Sequence, residues 1–360
     1  MSAPEAVFVS YRLGGHDGVA VEAEKWEWAL RRLGFSVRRV AGEFDGSLRP
    51  DDAWLPFLAI DPQPGAVPDP GALGAAIAGA DLVVVENLCS LPLEESAATI
   101  TRDVLAEHEG RVCFHHHDFA WERAHLAHIT GFPPDRPGSV HVTISDHARH
   151  ALAERGITAY TIPNSFQFDV DPGERSTTRA GLGYTDNDLV LLQPTRAIPR
   201  KNVGGGFAFA RALADLTEPR PVHYWITGPA EDGFDAEFAT LLGAAGVPIH
   251  IGRAPRSVDA YAAADLVVFP STWEGFGNPV IEAVAAHRMV AVAGYPVLDE
   301  ISEGLDLLSV HDPLAAARWI AAPNANTLAT NFDRARDRFS IEHLPDRIAD
   351  MLGEVGWIDW

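Results

Sequence analysis

The sequence predicts an α/β protein of two Rossmann-like domains, each an open parallel sheet, facing a central cleft. Three observations carry that expectation. The chain has 360 residues, about two domains' worth. Short apolar runs of strand length recur along it, separated by stretches with helical periodicity. The alternation runs through both halves, and strand–helix–strand units close into parallel pairs by right-handed crossovers. Sheets of this kind bind ligands beyond the carboxyl ends of their strands.

In the first half, Val7–Val9 opens as a strand and Gly14-Gly15 follows it. Apolar positions at Val21, Trp28 and Leu33 predict a helix over 19–33 that ends near Gly34. Phe35–Val37 reads as a second strand, and the Pro-, Asp- and Gly-rich segment from Gly42 to Gly74 as an irregular excursion. Strands are expected at 81–86, 111–115 and 140–144, with helices at about 94–107 and 147–155.

The segment 164–188, rich in acidic residues with Pro172 and Gly173, reads as a linker. Beyond it the pattern resumes. Strands are expected at 189–192, 222–227, 249–251, 266–269 and 290–293, and helices at 203–216, 235–244, 258–263 and 279–286. The expected domains are therefore 1–168 and 185–339.

Composition narrows the partners. A net charge of −22 leaves no broad basic surface, which argues against nucleic acid. No apolar run reaches the ~20 residues that span a bilayer, so stable membrane insertion is not expected. The N-terminus lacks the basic-then-apolar pattern of a secretory signal, and Cys89 and Cys113 stand outside any CxxC arrangement. A cytoplasmic protein without disulfides or structural zinc is the expectation. Oligomeric state stays open, a homo-oligomer included.

In so acidic a chain an anion binds only where cations and backbone N–H groups are gathered locally. Only Lys25 and Lys201 are lysines, and Lys201 falls in 189-LVLLQPTRAIPRKN-202. A strand there delivers Arg196 and Lys201 to the sheet's lip, where both can reach a diphosphate. Charge accumulating on a departing diphosphate would be stabilised most in the transition state. Arg200 is expected to face outward.

The second motif is 269-FPSTWEGFGNPVIE-282, a buried strand running through a glycine-rich loop (Gly275, Phe276, Gly277) into a helix started by Asn278-Pro279. Free N–H groups at Gly277 and Asn278 can hold phosphate or sugar oxygens. Glu274 and Glu282 are carboxylates suited to the vicinal hydroxyls of a ribose or hexose.

Two further sites belong to the first half. Gly14-Gly15 lets a ligand approach the backbone. His115-His116-His117-Asp118 ends a strand, and adjacent strand residues point to opposite faces, so three histidines on one ion are not expected. One histidine, preferably His117, faces the cleft as a contact to a sugar, with Asp118 to set its tautomer or bind hydroxyls. The triplets Asp169-Val-Asp171 and Asp186-Asn187-Asp188 fall in the linker and read as turns rather than metal ligands. No metal or cofactor is called for.

These stretches, with 143-TISDHARHALAERG-156, 160-YTIPNSFQFD-169 and 337-DRFSIEHLPDRIADML-352, resemble glycosyltransferase family 4, retaining enzymes of GT-B architecture. The R-x4-K pair followed by the E-x7-E loop is the specific part; the resemblance spans nearly the whole chain. It implies a hexosyltransferase using a nucleoside-diphosphate sugar without metal. Arg196 and Lys201 would bind the diphosphate, Glu282 the ribose, and Glu274 the donor sugar with the Gly277 and Asn278 backbone. Gly15 would approach the phosphate or acceptor, and His117 would contact the sugar. A C-terminal helix, about 340–360, would cross back onto the first domain. The sequence departs from the family's common pattern at Thr195, where glycine is frequent, and at IPNS in place of IPNG.

The resemblance also implies retention at the anomeric carbon without a dedicated side-chain base. The acceptor is expected to be a small soluble sugar, sugar acid or phosphorylated metabolite; donor base and sugar are not legible. A sugar-nucleotide 2-epimerase of the same architecture and a non-catalytic sugar-nucleotide binder are the alternatives.

Overall fold

In the computed structural model, described for residues 3–15, 17–46, 48–231 and 233–358, the chain divides into two compact units. Residues 1–165 with 341–360 form the first, and residues 166–340 the second.

The first unit is built on seven parallel strands among the described residues: β1 (Glu5–Leu13), β2 (Ser36–Phe44), β3 (Ala53–Trp54), β4 (Leu82–Glu86), β5 (Arg111–His116), β6 (Ser139–Thr143) and β7 (Ala159–Thr161). Their order is β3-β2-β1-β4-β5-β6-β7. Strands such as β4, LVVVE, are buried throughout, as sheets covered on both faces require. Around them run α1 (Gly18–Arg32), α2 (Pro70–Ile77), α3 (Glu95–Ala106) and α4 (Asp146–Ala153).

Helix α1 starts where Asp17 accepts hydrogen bonds from the Val19 and Ala20 amides, and it stops at Gly34, whose φ of +89° suits glycine. Its buried face of Ala23, Trp26, Ala29 and Leu30 packs on Phe8, Val84 and Val142 of the sheet. The segment expected to be irregular, 42–74, instead holds the end of β2, all of β3 and the start of α2. Asp69 caps α2 by accepting from the Ala72 amide, with Pro70 in its first turn.

The second unit contains α5 (Arg175–Gly181), β8 (Leu189–Gln193), α6 (Val203–Thr217), β9 (Val222–Ile226), α7 (Asp235–Gly243), β10 (Ile249–Ile251) and α8 (Ser257–Ala263). It continues with β11 (Leu266–Phe269), α9 (Asn278–Ala285), β12 (Val290–Val292), α10 (Leu298–Ile301), β13 (Leu308–Ser309), α11 (Pro313–Ala321) and α12 (Ala325–Phe339). The parallel sheet runs β10-β9-β8-β11-β12-β13. The chain then returns to the first unit as α13 (Leu344–Glu354), whose Leu344, Ile348, Met351 and Leu352 enter the same core as α1. No described helix is long and apolar enough to cross a membrane.

The expected linker is a correction. Residues from 166 onward belong to the second unit, and 175–181 form α5. Two arginines hold it there. Arg179, 1% exposed, donates to the Ala263, Thr185 and Asp188 carbonyls and pairs with Asp265 at 3.1 Å. Arg175 bonds the Ala262, Ala263 and Ala264 carbonyls and the same Asp265. The D-x-D triplets are engaged as turns and ion pairs: Asp188 accepts from the Thr185 amide, Asp171 accepts from the Gly173 amide and pairs with Arg256, and Asp169 lies 3.5 Å from Arg336.

Arg179→Ala is expected to destabilise the protein by about 3 kcal/mol, since it strands buried carbonyls and half of a buried ion pair. Urea unfolding measures this; a loss below about 1 kcal/mol would show that Arg175 alone anchors α5.

Candidate functional site

Each sheet reverses direction once. In the second unit the chain runs outward through β8, β9 and β10, then returns to place β11 on the other side of β8. The loops after β8 and β11 therefore emerge side by side, at the point where such folds open a ligand crevice. These loops carry the two motifs singled out in the sequence.

After β8, Pro199–Lys201 forms a short 3-10 turn, and Asn202, at φ +47°, caps α6 by accepting from the Gly205 amide. After β11 the loop ends at Gly277, at φ +102°, and α9 begins with Asn278 and Pro279. The loops are bonded together. The Thr272 amide donates to the Arg200 carbonyl at 2.9 Å, and Asn202 Nδ2 donates to the Pro270 carbonyl at 3.2 Å. Lys201 Nζ meets Glu274 Oε1 at 2.6 Å across 73 residues of sequence.

Arg200 corrects the sequence reading. It does not face outward: its Nη1 donates to Glu274 Oε2 at 2.8 Å and to the Trp273 carbonyl at 3.2 Å. Glu274 thus lies between two cations. Burial alone would raise its carboxyl, but Lys201 and Arg200 outweigh that and hold it below the ordinary value. For Lys201 burial is the larger influence, and despite Glu274 the ammonium is pushed down to about 8. Arg196 lies nearer solvent, 43% exposed, paired to Glu231 at 2.6 Å. A Cβ on Gly228 would lie 2.7 Å from Arg196 Cα, so the loop after β9 can pass Arg196 only as glycine.

The remaining motif residues line the start of α9. Phe276 is buried, with its carbonyl accepting from Tyr295 Oη at 3.4 Å; Gly275 precedes it in the same loop. Glu282, one turn into the helix, accepts from Tyr261 Oη at 2.5 Å. Burial and Glu282 keep that phenol protonated, so Tyr261 orients the carboxylate as a donor. Sequence reasoning missed Tyr261. A tyrosine in the buried face of α8, whose hydroxyl needs a partner, was the available signal.

The first unit has its own reversal, between β1 and β4. Gly14, at φ +78°, and Gly15 follow β1; a Cβ on Gly14 would sit 2.6 Å from the Asp45 carbonyl oxygen. One on Gly15 would lie 3.6 Å from Arg12 Nε, so this guanidinium stands beside the glycine turn. His16, next in sequence, lies outside the described residues.

Glu86 ends β4 directly opposite His115 of β5. His115 and His117 lie two apart and share a face, and both rings meet this carboxylate: His115 Nδ1 is 2.9 Å and His117 Nε2 3.2 Å from Glu86 Oε2. His116 points the other way, 2.9 Å from His141 and beside Ser90. The alternation expected of the triplet is thus present. Asp118 does not set the tautomer of His117, because it is paired with Arg123 at 2.9 Å; Glu86 occupies that position. Glu86, His115 and His117 also offer ligand atoms within 4.8 Å of one another, a set that could hold a metal ion and that only strand pairing brings together.

Residues 196–323 match the family model described as Glycosyl transferases group 1. The fold is of GT-B architecture, and the chain resembles the glycosyltransferases of that group. It is 26% identical, over 94% of its length and 97% of the relative's, to the mannosylglucosylglycerate synthase of Thermotoga maritima. It is 33% identical, over 47% of its length and 40% of the relative's, to the D-inositol 3-phosphate glycosyltransferase of Streptomyces avermitilis. Among solved structures, the sucrose-phosphate synthase of Thermosynechococcus elongatus superposes with a TM-score of 0.76 over 98% of this chain and 99% of that one, at 16% identity. Anabaena HepE in complex with UDP and glucose gives 0.72 over 98% and 100%, at 18% identity.

Proposed function

We propose that the protein is a retaining hexosyltransferase that takes its sugar from a nucleoside diphosphate and passes it to a small anionic acceptor. The observation that carries this reading is the bonded junction of the R-x4-K turn with the E-x7-E loop, closed by Lys201 and Glu274. In the proposal, Arg196 and Lys201 hold the diphosphate and neutralise it as it leaves. Glu282, oriented by Tyr261, takes the ribose hydroxyls. Glu274 and the Gly277 and Asn278 amides take the donor sugar, with Gly275 and Phe276 shaping the loop.

The acceptor hydroxyl attacks on the face the diphosphate leaves, and a phosphate oxygen receives its proton. The chain then needs no side-chain base and no metal. Gly15 lets substrate approach the end of β1, and His117 contacts the transferred sugar. A carboxylate or phosphate on the acceptor fits the names of the relatives, which make a glycosylated glycerate and act on an inositol phosphate. Arg12, beside the glycine turn, is the cation at hand for it. Cys89 and Cys113 are buried thiols outside any disulfide, in keeping with the proposed reducing cytoplasm.

Melting curves with UDP-, GDP- and ADP-sugars, with and without EDTA, test the donor assignment. One sugar nucleotide is expected to raise the melting temperature regardless of chelator. No shift with any of them would end this reading. NMR of the product's anomeric signal tests retention, and isomer formed from donor alone would indicate the epimerase instead.

A further inference from the structure

The carboxylate of Glu86 is fully buried, and its only bonded partners among the described residues are two imidazoles. A buried carboxylate persists only when its lone pairs are satisfied, and an ionised one can only accept. Each ring nitrogen facing it must therefore carry its hydrogen. For His115 this is Nδ1 and for His117 it is Nε2. We infer that Glu86 is a positioning residue: it fixes His117 with its hydrogen on Nε2 and leaves Nδ1 as the ring atom available to substrate. The inference rests on the proposed contact between His117 and the transferred sugar.

The surroundings make the arrangement rigid. Trp26 of α1 packs against the His115 ring with centroids 4.3 Å apart, and His115 lies 4.5 Å from His117. Asn87 Oδ1 accepts from the backbone amides of His117 and Asp118, at 2.9 and 3.1 Å, fixing the chain as it leaves β5. Asn87 itself has φ +57°, a strained conformation held where the strand must turn.

Other charged groups near His117 are already engaged. Glu22 of α1 pairs with Lys25, and Asp118 pairs with Arg123. Burial works against a charged His117, but Glu86 first, then Glu22 and Asp118, raise its pKa above the ordinary value. His115 is lowered, chiefly by burial, and stays neutral. In the neutral form of His117, Nδ1 accepts a hydroxyl hydrogen. Once the ring is protonated, Nδ1–H donates instead.

Long-range proton–nitrogen NMR on the full chain with ring-labelled histidine reads the tautomer without any substitution in the triad. His117, assigned by comparison with His117→Gln, is expected as the Nε2–H form at neutral pH; the Nδ1–H form would overturn the inference. Glu86→Gln keeps the shape and removes the charge. It is expected to lower kcat at least tenfold, to leave KM for the donor within twofold, and to move the His117 limb of the pH profile to lower pH. Glu86→Asp should recover part of kcat.

Wild-type kcat and pH profile in a folded Glu86→Gln, alongside an inactive His117→Ala, would overturn the inference. So would a stoichiometric metal in the purified protein that Glu86→Gln loses, because a metal would replace the hydrogens. An active His117→Ala would remove the assigned role of His117 and this inference with it. The donor-induced melting shift, assigned to the second unit, would still report on the transferase reading.

Discussion

Lys201→Ala is expected to cut turnover by at least tenfold, and on the order of a hundredfold if Lys201 is one of the preorganised donors that meet charge in the transition state. Lys201 is 8% exposed and its ammonium is bonded to Glu274, so the charge is held in place. Its loss leaves Glu274 paired with Arg200, which keeps the loop charge-compensated and the fold intact. Single-turnover rates with saturating donor, alongside a melting curve, separate chemistry from unfolding. Wild-type turnover would refute the role.

A pH dependence belongs to the same residue. With Lys201 pushed down to about 8, the free protein loses this charge as pH rises through that value. A bound diphosphate favours the charged form and raises the pKa. Donor affinity should therefore be full below pH 8, fall above it, and be accompanied there by proton uptake on binding. Calorimetry in buffers of differing ionisation enthalpy measures both. Lys201→Arg should shift the alkaline limb upward without restoring full turnover, because a planar fork does not replace a point charge.

The second large effect is expected from Gly277→Ala. At φ +102° any side chain costs roughly 1–2 kcal/mol of backbone strain. A Cβ there would also lie 2.2 Å from Tyr295 Oη and 3.0 Å from its Cζ. Tyr295 is buried and packs edge-on against Phe269, so it has little room to move. Relief must come from the loop, which would swing the Gly277 and Asn278 amides off their line. Donor affinity should drop more than tenfold. Tyr295→Phe removes the closer atom, so the double substitution should regain part of the loss. A donor-induced melting shift equal to wild type in Gly277→Ala would mean that these amides do not touch the ligand.

Where the sequence was legible, buried strands and helix signals made it so. The runs at 249–251 and 266–269 are strands at the expected residues, and α3, α6 and α8 fall within a residue or two of expectation. What it hid depends on pairing. Helix α5 lies in a polar stretch whose arginines make sense only once Asp265 is beside them. Arg200 looked solvated because nothing local shows that a loop 73 or 74 residues away supplies two acceptors. Glu86 was read as the last residue of a strand. A carboxylate ending a run of valines needs a buried partner, but naming that partner requires the β4–β5 register. The same register turned a histidine triplet with alternating faces into a pair sharing one carboxylate.

The resting pairs of the second unit set a threshold for anions. Arg196 is held by Glu231, Arg200 and Lys201 by Glu274, and Glu282 by Tyr261. A lone orthophosphate can only exchange one partner for another, with little net gain. In the proposed complex, a pyrophosphate that bridges Arg196 and Lys201 while its sugar and ribose engage Glu274 and Glu282 would replace several partners at once. On the proposed reading, discrimination against abundant small anions would follow from how well these side chains satisfy one another.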